Sequence, residues 1–388
     1  MKNHFKVGIL TIHKSEVSYG GSLQAFSLWS FINSIGYTCE IIDLYRPVMK
    51  GYVHKVSCLN DILIKTKQNN PLFKRTIGNC IELYKTLPYL RKHKLKSIRF
   101  QSFNSKISYS QSFKSIDSLY QHPPNYDVYI AGSDQIWNPD MPFENEPYLL
   151  SFVKGSARRI SYASSFGRDN LPEIISKYYA KYLKKFNAIS VREDTGCNLV
   201  EQMIGIRPML TLDPTMLFNR DFWTLEAIDS DIKEEYLFCF MLNFDNEIIS
   251  YAAEICKKKN LVLVLCLSSF FKYSNNSVRV VDATDSGPKE WLGWIKNAKF
   301  VLTDSFHGTV FSILFEQPFI AYVKDNKSIS NKSSRIASLL NLLSLQSCYY
   351  NTLSFMDINL EIDYSKVNVK LKKHREKSKD YLITALSK

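Results

Sequence analysis

Phe300-Val301-Leu302-Thr303-Asp304-Ser305-Phe306-His307-Gly308-Thr309-Val310-Phe311-Ser312 reads as a short buried strand that runs through polar residues into a helix. Phe300–Leu302 is an apolar run without polar alternation, as a strand covered on both faces requires. A helical pattern, Gly308–Phe315, comes directly after it. Strand, polar turn and helix make one βα unit, and the unit recurs along the chain, which is the signature of parallel sheets. In the first half, strands are expected at Lys6–Ile12, Cys39–Leu44, Val128–Ala131, Arg159–Ala163, Ala188–Val191 and Met209–Leu212. A helix from Ser22 to Ile35 is expected to stop at Gly36, since glycine just past the last periodic residue ends helices. A second series has strands at Tyr236–Leu242, Leu261–Leu267, Val278–Val281, Phe300–Leu302 and Phe319–Tyr322, with another helix over Pro288–Asn297.

The polar stretch Asp229-Ser230-Asp231-Ile232-Lys233-Glu234-Glu235 separates the two series. The chain has 388 residues, too many for one ordinary core, and 45% are hydrophobic, enough to fill two. The expected organisation is a Rossmann-like domain over 1–225, a second over 226–350 and a basic C-terminal tail or helix over 351–388. The fold class is α/β, with parallel sheets in two domains facing a cleft. Residues 50–120 are basic and partly helical, and read as an insertion within the first domain.

Charge and cysteine content narrow the function. Eight cysteines stand at 39, 58, 80, 197, 239, 256, 266 and 348 without a C-x-x-C pair, which fits reduced, buried thiols. The seven histidines are dispersed too, so no metal site is expected. The apolar run after Lys6 is too short for a signal peptide, and Leu261–Phe271 is about half the ~20 residues of a membrane span. A cytoplasmic protein is expected. The formal charge of +13 is concentrated at Lys85–Lys106 and Lys366–Lys379. Such clusters are ordinarily solvated helix faces, and functionally they fit an anionic substrate or peripheral contact with an anionic membrane at its inner face. Nothing has the pattern of a nucleic-acid module, so no nucleic acid is expected as a partner.

The residues just beyond each strand are more informative, because open parallel sheets bind ligands at the carboxyl ends of their strands. The first strand leads to Tyr19-Gly20-Gly21-Ser22 and a helix, where glycines allow close backbone approach and a helix start offers N–H groups to an anion. Later strands lead to Gly132-Ser133-Asp134-Gln135, to Ser164-Ser165-Phe166-Gly167, to Arg192-Glu193 and to Asp213-Pro214-Thr215. In the second half they lead to Asp304-Ser305-Phe306-His307 and to Lys324. Each has an ordinary structural reading: Asp213 as a turn residue, Asp134 as a cap, Arg192 as a packing arginine, His307 as a capping histidine. Facing each other across one cleft, they become a site for a small, highly charged anion with proton transfer at His307.

At these residues the chain resembles the polysaccharide pyruvyl transferase family. The matching stretches are Val7–Thr11 and Tyr19–Ala25, Ile130–Asn138, Ile160–Gly167, Ile189–Glu193, Leu212–Thr215, Thr303–Ser312 and Ser333–Ile336, in family order. The resemblance implies a GT-B-like fold and transfer of the pyruvate unit of phosphoenolpyruvate to a sugar of a bacterial surface polysaccharide or its lipid-linked precursor, as a ketal across two hydroxyls. Phosphoenolpyruvate is then a co-substrate, the sugar acceptor is lipid-diphosphate-linked or polymeric, and no cofactor is implied. His307 matches the family's catalytic histidine, with Asp134 or Asp304 as its partner or as proton acceptor. Arg192 matches a donor-binding arginine. Lys324, Arg335, Gly20, Gly21, Ser133 and Ser305 are expected to complete the donor site. The alternative is a GT-B-type glycosyltransferase using a nucleotide-sugar donor.

Overall fold

The computed structural model describes residues 5–13, 17–46, 90–242, 245–267, 273–323, 332–350 and 361–387. Lys324, Cys58, Cys80 and residues 50–89 of the expected insertion lie outside the described residues.

Two parallel sheets carry the fold. The first holds β1 (Lys6–Leu10), β2 (Thr38–Leu44), β3 (Tyr109–Phe113), β4 (Val128–Ala131) and β5 (Arg158–Ser161) in the order β3-β2-β1-β4-β5. β6 (Ser190–Val191) and β7 (Met209–Leu210) form a parallel pair that continues its edge through bridges from Ile160 to Ala188 and from Ser164 to Val191. The second sheet holds β8 (Tyr236–Met241), β9 (Val262–Leu267), β10 (Val280–Asp282), β11 (Phe300–Thr303), β12 (Phe319–Tyr322) and β13 (Tyr349–Tyr350), ordered β10-β9-β8-β11-β12-β13. Both orders are those of Rossmann-like sheets, and each reverses direction beside its first strand. The crevices therefore open at the ends of β1 and β4 in one half, and of β8 and β11 in the other.

β1, β4, β8, β9, β11 and β12 are almost wholly buried, as their unbroken apolar runs require. β3 was not expected: Tyr-Ser-Gln-Ser-Phe lacks an apolar pattern because it lies at a half-solvated sheet edge. β13 is too short for a pattern to show. The helix after β1 begins at Tyr19, three residues before the expected start, because Ser18 caps it by accepting from Gly21 N at 3.2 Å. Gly20 and Gly21 thus sit inside the first turn, and neither has a positive φ. Gly36 does, at +95°, and ends the helix as expected.

Buried aromatic side chains join the halves. Tyr19 of the first helix stacks on Trp291 at 5.0 Å and meets Phe240 edge-on at 5.5 Å, while Trp223 packs edge-on against Phe311 at 4.9 Å. Each fully buried aromatic contributes roughly 1.5–3 kcal/mol. The basic C-terminal segment forms the helix Tyr364–Ser387, which docks on both halves. Tyr364 Oη donates to Gln317 O in the second half, and Arg158 Nη2 of the first donates to Ala385 O at 3.0 Å. Its apolar face, Val367, Leu371, Leu382, Ala385 and Leu386, is buried at helical spacing, while Lys372, Lys373 and Lys377 remain exposed. Among the described residues, no helix is long and apolar enough to cross a membrane.

Candidate functional site

The strand ends of the two halves meet at Asp213. It comes just after β7, is 1% exposed, and caps the short turn Pro214–Leu217. Oδ1 accepts from Thr215 N at 3.0 Å and Thr215 Oγ1 at 2.7 Å. Oδ2 accepts from Ser133 Oγ at 3.0 Å and Arg192 Nη1 at 2.7 Å, and lies 3.6 Å from His307 Nε2. Burial pushes this carboxyl up, but His307, Arg192 and Thr215 prevail and hold it far below the usual carboxylate range. Asp213 is therefore a fixed anion joining the first half to the imidazole of the second.

His307 owes its position to a capped helix start. Ser305 is the N-cap of Phe306–Leu314, its Oγ accepting from Gly308 N at 3.3 Å, so the helix begins two residues before the expected Gly308. Gly308 leaves room for the strand end; a Cβ there would lie 2.4 Å from Thr303 Oγ1. His307 Nε2 is buried on the Asp213 side. The opposite edge of the ring rests on Gly20, where a Cβ would lie 2.1 Å from Nδ1. The ring as a whole borders the cleft. Gly20 serves the site through close approach of its backbone to the imidazole, with a φ that is not positive. Gly21 donates its N–H to Ser18 Oγ, so it is no open anion ligand either.

Gly20→Ala must rotate or displace the His307 ring. Displacement of a catalytic group by about 1 Å costs on the order of 10²-fold in rate, so turnover is expected to fall by that much while the thermal transition is kept. Turnover and melting measured side by side check this; unchanged turnover would show that the ring does not need its place.

The cations divide into two kinds. Arg192 has a side chain only 1% exposed, committed to Asp213 and, at 3.4 Å, to Asp134, with its guanidinium 4.3 Å from the Phe306 ring centre. This corrects the expectation of an arginine open to the donor: Arg192 holds the carboxylates in place. Ser133, fully buried on Asp213, does the same. Arg335 is 8% exposed, lies 5.8 Å from the Phe306 ring centre and pairs with no carboxylate among the described residues. Burial and then Arg192 lower its pKa to about 10, against Asp134, Glu193 and Asp213, and it stays protonated near neutrality.

Asp134 adopts the left-handed region, φ +74°, uncommon for a residue other than glycine. Burial raises its pKa, but Arg192, His307 and Arg335 outweigh this, so it stays ionised and is a weak base. Asp304 Oδ1 accepts from Leu242 N at 2.6 Å, tying the ends of β8 and β11 together.

A cleft of about 360 Å³ lies between the halves, bordered by Gly20, Asp134, Asp304, Ser305, His307 and Arg335. This volume suits a small ligand. Lys96, from the helix over 90–104, also borders it and is only 6% exposed. Its place in a run of basic residues hid it, since such runs read as solvated. Asp213 was visible in the sequence, but Asp-Pro reads equally well as a turn, which it also is. Among the described residues, no three His, Cys, Asp or Glu side chains are grouped to hold a metal ion.

Among solved structures, the chain is similar to UDP-N-acetylglucosamine 2-epimerase from Rickettsia bellii, with 10% identity, TM-score 0.45 and 98% of each chain covered. It is similar also to the UDP-GlcNAc 2-epimerase of Neisseria meningitidis bound to UDP-GlcNAc, with 10% identity, TM-score 0.46 and 98% and 99% covered. The enzyme of that name from Methanocaldococcus jannaschii matches with 14% identity, TM-score 0.42 and 94% and 98% covered. No curated protein sequence matches the chain. The sequence pattern of polysaccharide pyruvyl transferases, in contrast, matches residues 19–326, from the helix under His307 through β12. The chain belongs to the polysaccharide pyruvyl transferase family, a family of transferases.

Proposed function

We propose that the chain transfers the pyruvate unit of phosphoenolpyruvate to two hydroxyls of one sugar, on a surface polysaccharide or its lipid-linked precursor. The observation that carries this reading is His307, held by Asp213 on one edge and Gly20 on the other, in a small cleft also bordered by Arg335. Protonated His307 gives a ring proton to the donor's methylene carbon, leaving C2 electron-poor. A sugar hydroxyl adds to C2, the C2–O bond to phosphate breaks, and the second hydroxyl closes the ketal. Of the two hydroxyl protons, one restores His307 and the other leaves with phosphate. Asp213 stabilises the imidazolium before transfer, and Arg335, whose planar fork suits phosphate or carboxylate, holds the donor.

Phosphoenolpyruvate is expected to raise the thermal transition, and UDP-sugars to leave it unchanged; the reverse would favour the nucleotide-sugar alternative. Arg335→Ala is expected to weaken donor binding by roughly 10- to 100-fold, the range of a hydrogen bond to a charged group. An unchanged calorimetric Kd would remove Arg335 from the donor site.

A further inference from the structure

Lys96 stands apart from the other lysines of its helix. Arg91 and Lys94 are exposed, whereas Lys92 reaches Asp282, and Arg99 reaches Asp285 at 3.3 Å and Glu290 at 3.3 Å, all in the second half. The same helix places Phe100 5.1 Å from Tyr19 and Phe103 5.1 Å from Phe26 of the first half. Its seat is tight, for a Cβ on Gly287 would lie 2.4 Å from Arg99 Cβ. The helix therefore bridges both halves over the cleft and carries Lys96 inward.

Lys96 has no carboxylate within ion-pair distance and no hydrogen-bond partner among the described residues. Nζ lies 4.9 Å from the centre of the Tyr19 ring. Burial lowers its pKa, opposed by Cys266, Asp285 and Asp282. A buried ammonium without a counter-ion is costly, and such groups are ordinarily paired. Its neighbour Tyr19 is fixed, donating to Ser286 O at 2.8 Å and stacked on Trp291 at 5.0 Å, so the ammonium has a rigid apolar floor and one open side, the cleft.

Tyr19 precedes Gly20, on which His307 rests, and the Arg335 guanidinium lies 5.8 Å from the ring centre of Phe306, the residue before His307. Lys96, Arg335 and His307 all border the same cleft. We infer that Lys96 is a donor-binding residue: it takes one anionic group of the substrate while Arg335 takes the other, with the reacting carbon between them at His307. This rests on the reading of the cleft as a donor site for a molecule with two anionic ends. A lysine, a compact point charge, suits a single carboxylate or phosphate oxygen.

The test is calorimetric titration of the full-length chain and its Lys96→Met, Lys96→Gln and Lys96→Arg variants, with phosphoenolpyruvate and separately with inorganic phosphate. Lys96→Met keeps the stem on Tyr19 and removes a desolvated charge, so its thermal transition should equal or exceed that of the parent. Its Kd for phosphoenolpyruvate should rise roughly 10- to 100-fold, with Lys96→Arg recovering much of the loss. Lys96→Gln covers the case in which methionine upsets the fold. Parent-like affinity in a folded Lys96→Met or Lys96→Gln overturns the assignment, even if the parent turns phosphoenolpyruvate over. If the parent ignores phosphoenolpyruvate but binds phosphate through Lys96, the anion ligand stands and the donor reading falls. A parent that binds neither overturns both.

Discussion

His307→Ala lowers turnover by about 10²–10⁴-fold and leaves the fold standing, the loss expected when a positioned proton donor is removed. The fold survives because Asp213 keeps Arg192, Ser133 and Thr215 when the imidazole is gone. Donor binding is kept in large part, since Arg335 does not depend on the ring. Phosphate release with donor and acceptor present, beside a calorimetric titration, separates the two effects. Near-parental phosphate release from purified His307→Ala would remove the histidine from the chemistry.

Asp213→Asn should be worse for the protein as a whole. The carboxylate accepts four hydrogen bonds, from Ser133 Oγ, Thr215 N, Thr215 Oγ1 and Arg192 Nη1. An amide of the same shape must turn an NH₂ toward some of these donors and leaves the buried guanidinium without its nearest counter-charge. Breaking one partner of a buried pair typically costs about 3–5 kcal/mol. Turnover should fall as well, because His307 loses the group that holds its Nε2 edge. The sign of the shift sets the pH dependence. The folded-state pKa of Asp213 lies below the unfolded value of about 3.9, so its stabilisation is complete above that value and is lost as pH falls below it. Denaturant unfolding at a series of pH values should show the parent losing stability below about pH 4 more steeply than Asp213→Asn. Parallel curves would mean that Asp213 is not the carboxylate this geometry makes it.

The sheets were legible because βα units are written locally. Phe319–Tyr322 and Val128–Ala131 needed only their apolar runs. β3 was missed because its residues are half solvated, and the early start of the first helix because Ser18 caps across two glycines. The site was legible as a set of strand ends but not as roles. Whether Arg192 faces a ligand or a carboxylate depends on Asp213 and Asp134, which come to it from 21 and 58 residues away. Gly20 serves His307, a contact between halves that local sequence does not encode. Lys96 shows the same limit: its neighbours in the chain are solvated, and only the bridging of the halves buries it. The motif stretch Gly132–Asn138 is also partly structural, since Ile136 and Trp137 are fully buried in the core of the first half.

Pyruvate transfer is read most directly by mass spectrometry of candidate surface glycans and their lipid-linked precursors, incubated with the chain and phosphoenolpyruvate. An acceptor heavier by one pyruvate ketal is expected, with phosphate released in equal amount, and both products formed about 10²–10⁴-fold more slowly with His307→Ala. Phosphate release without ketal, or glycan extension from a nucleotide sugar in place of phosphoenolpyruvate, would contradict pyruvate transfer.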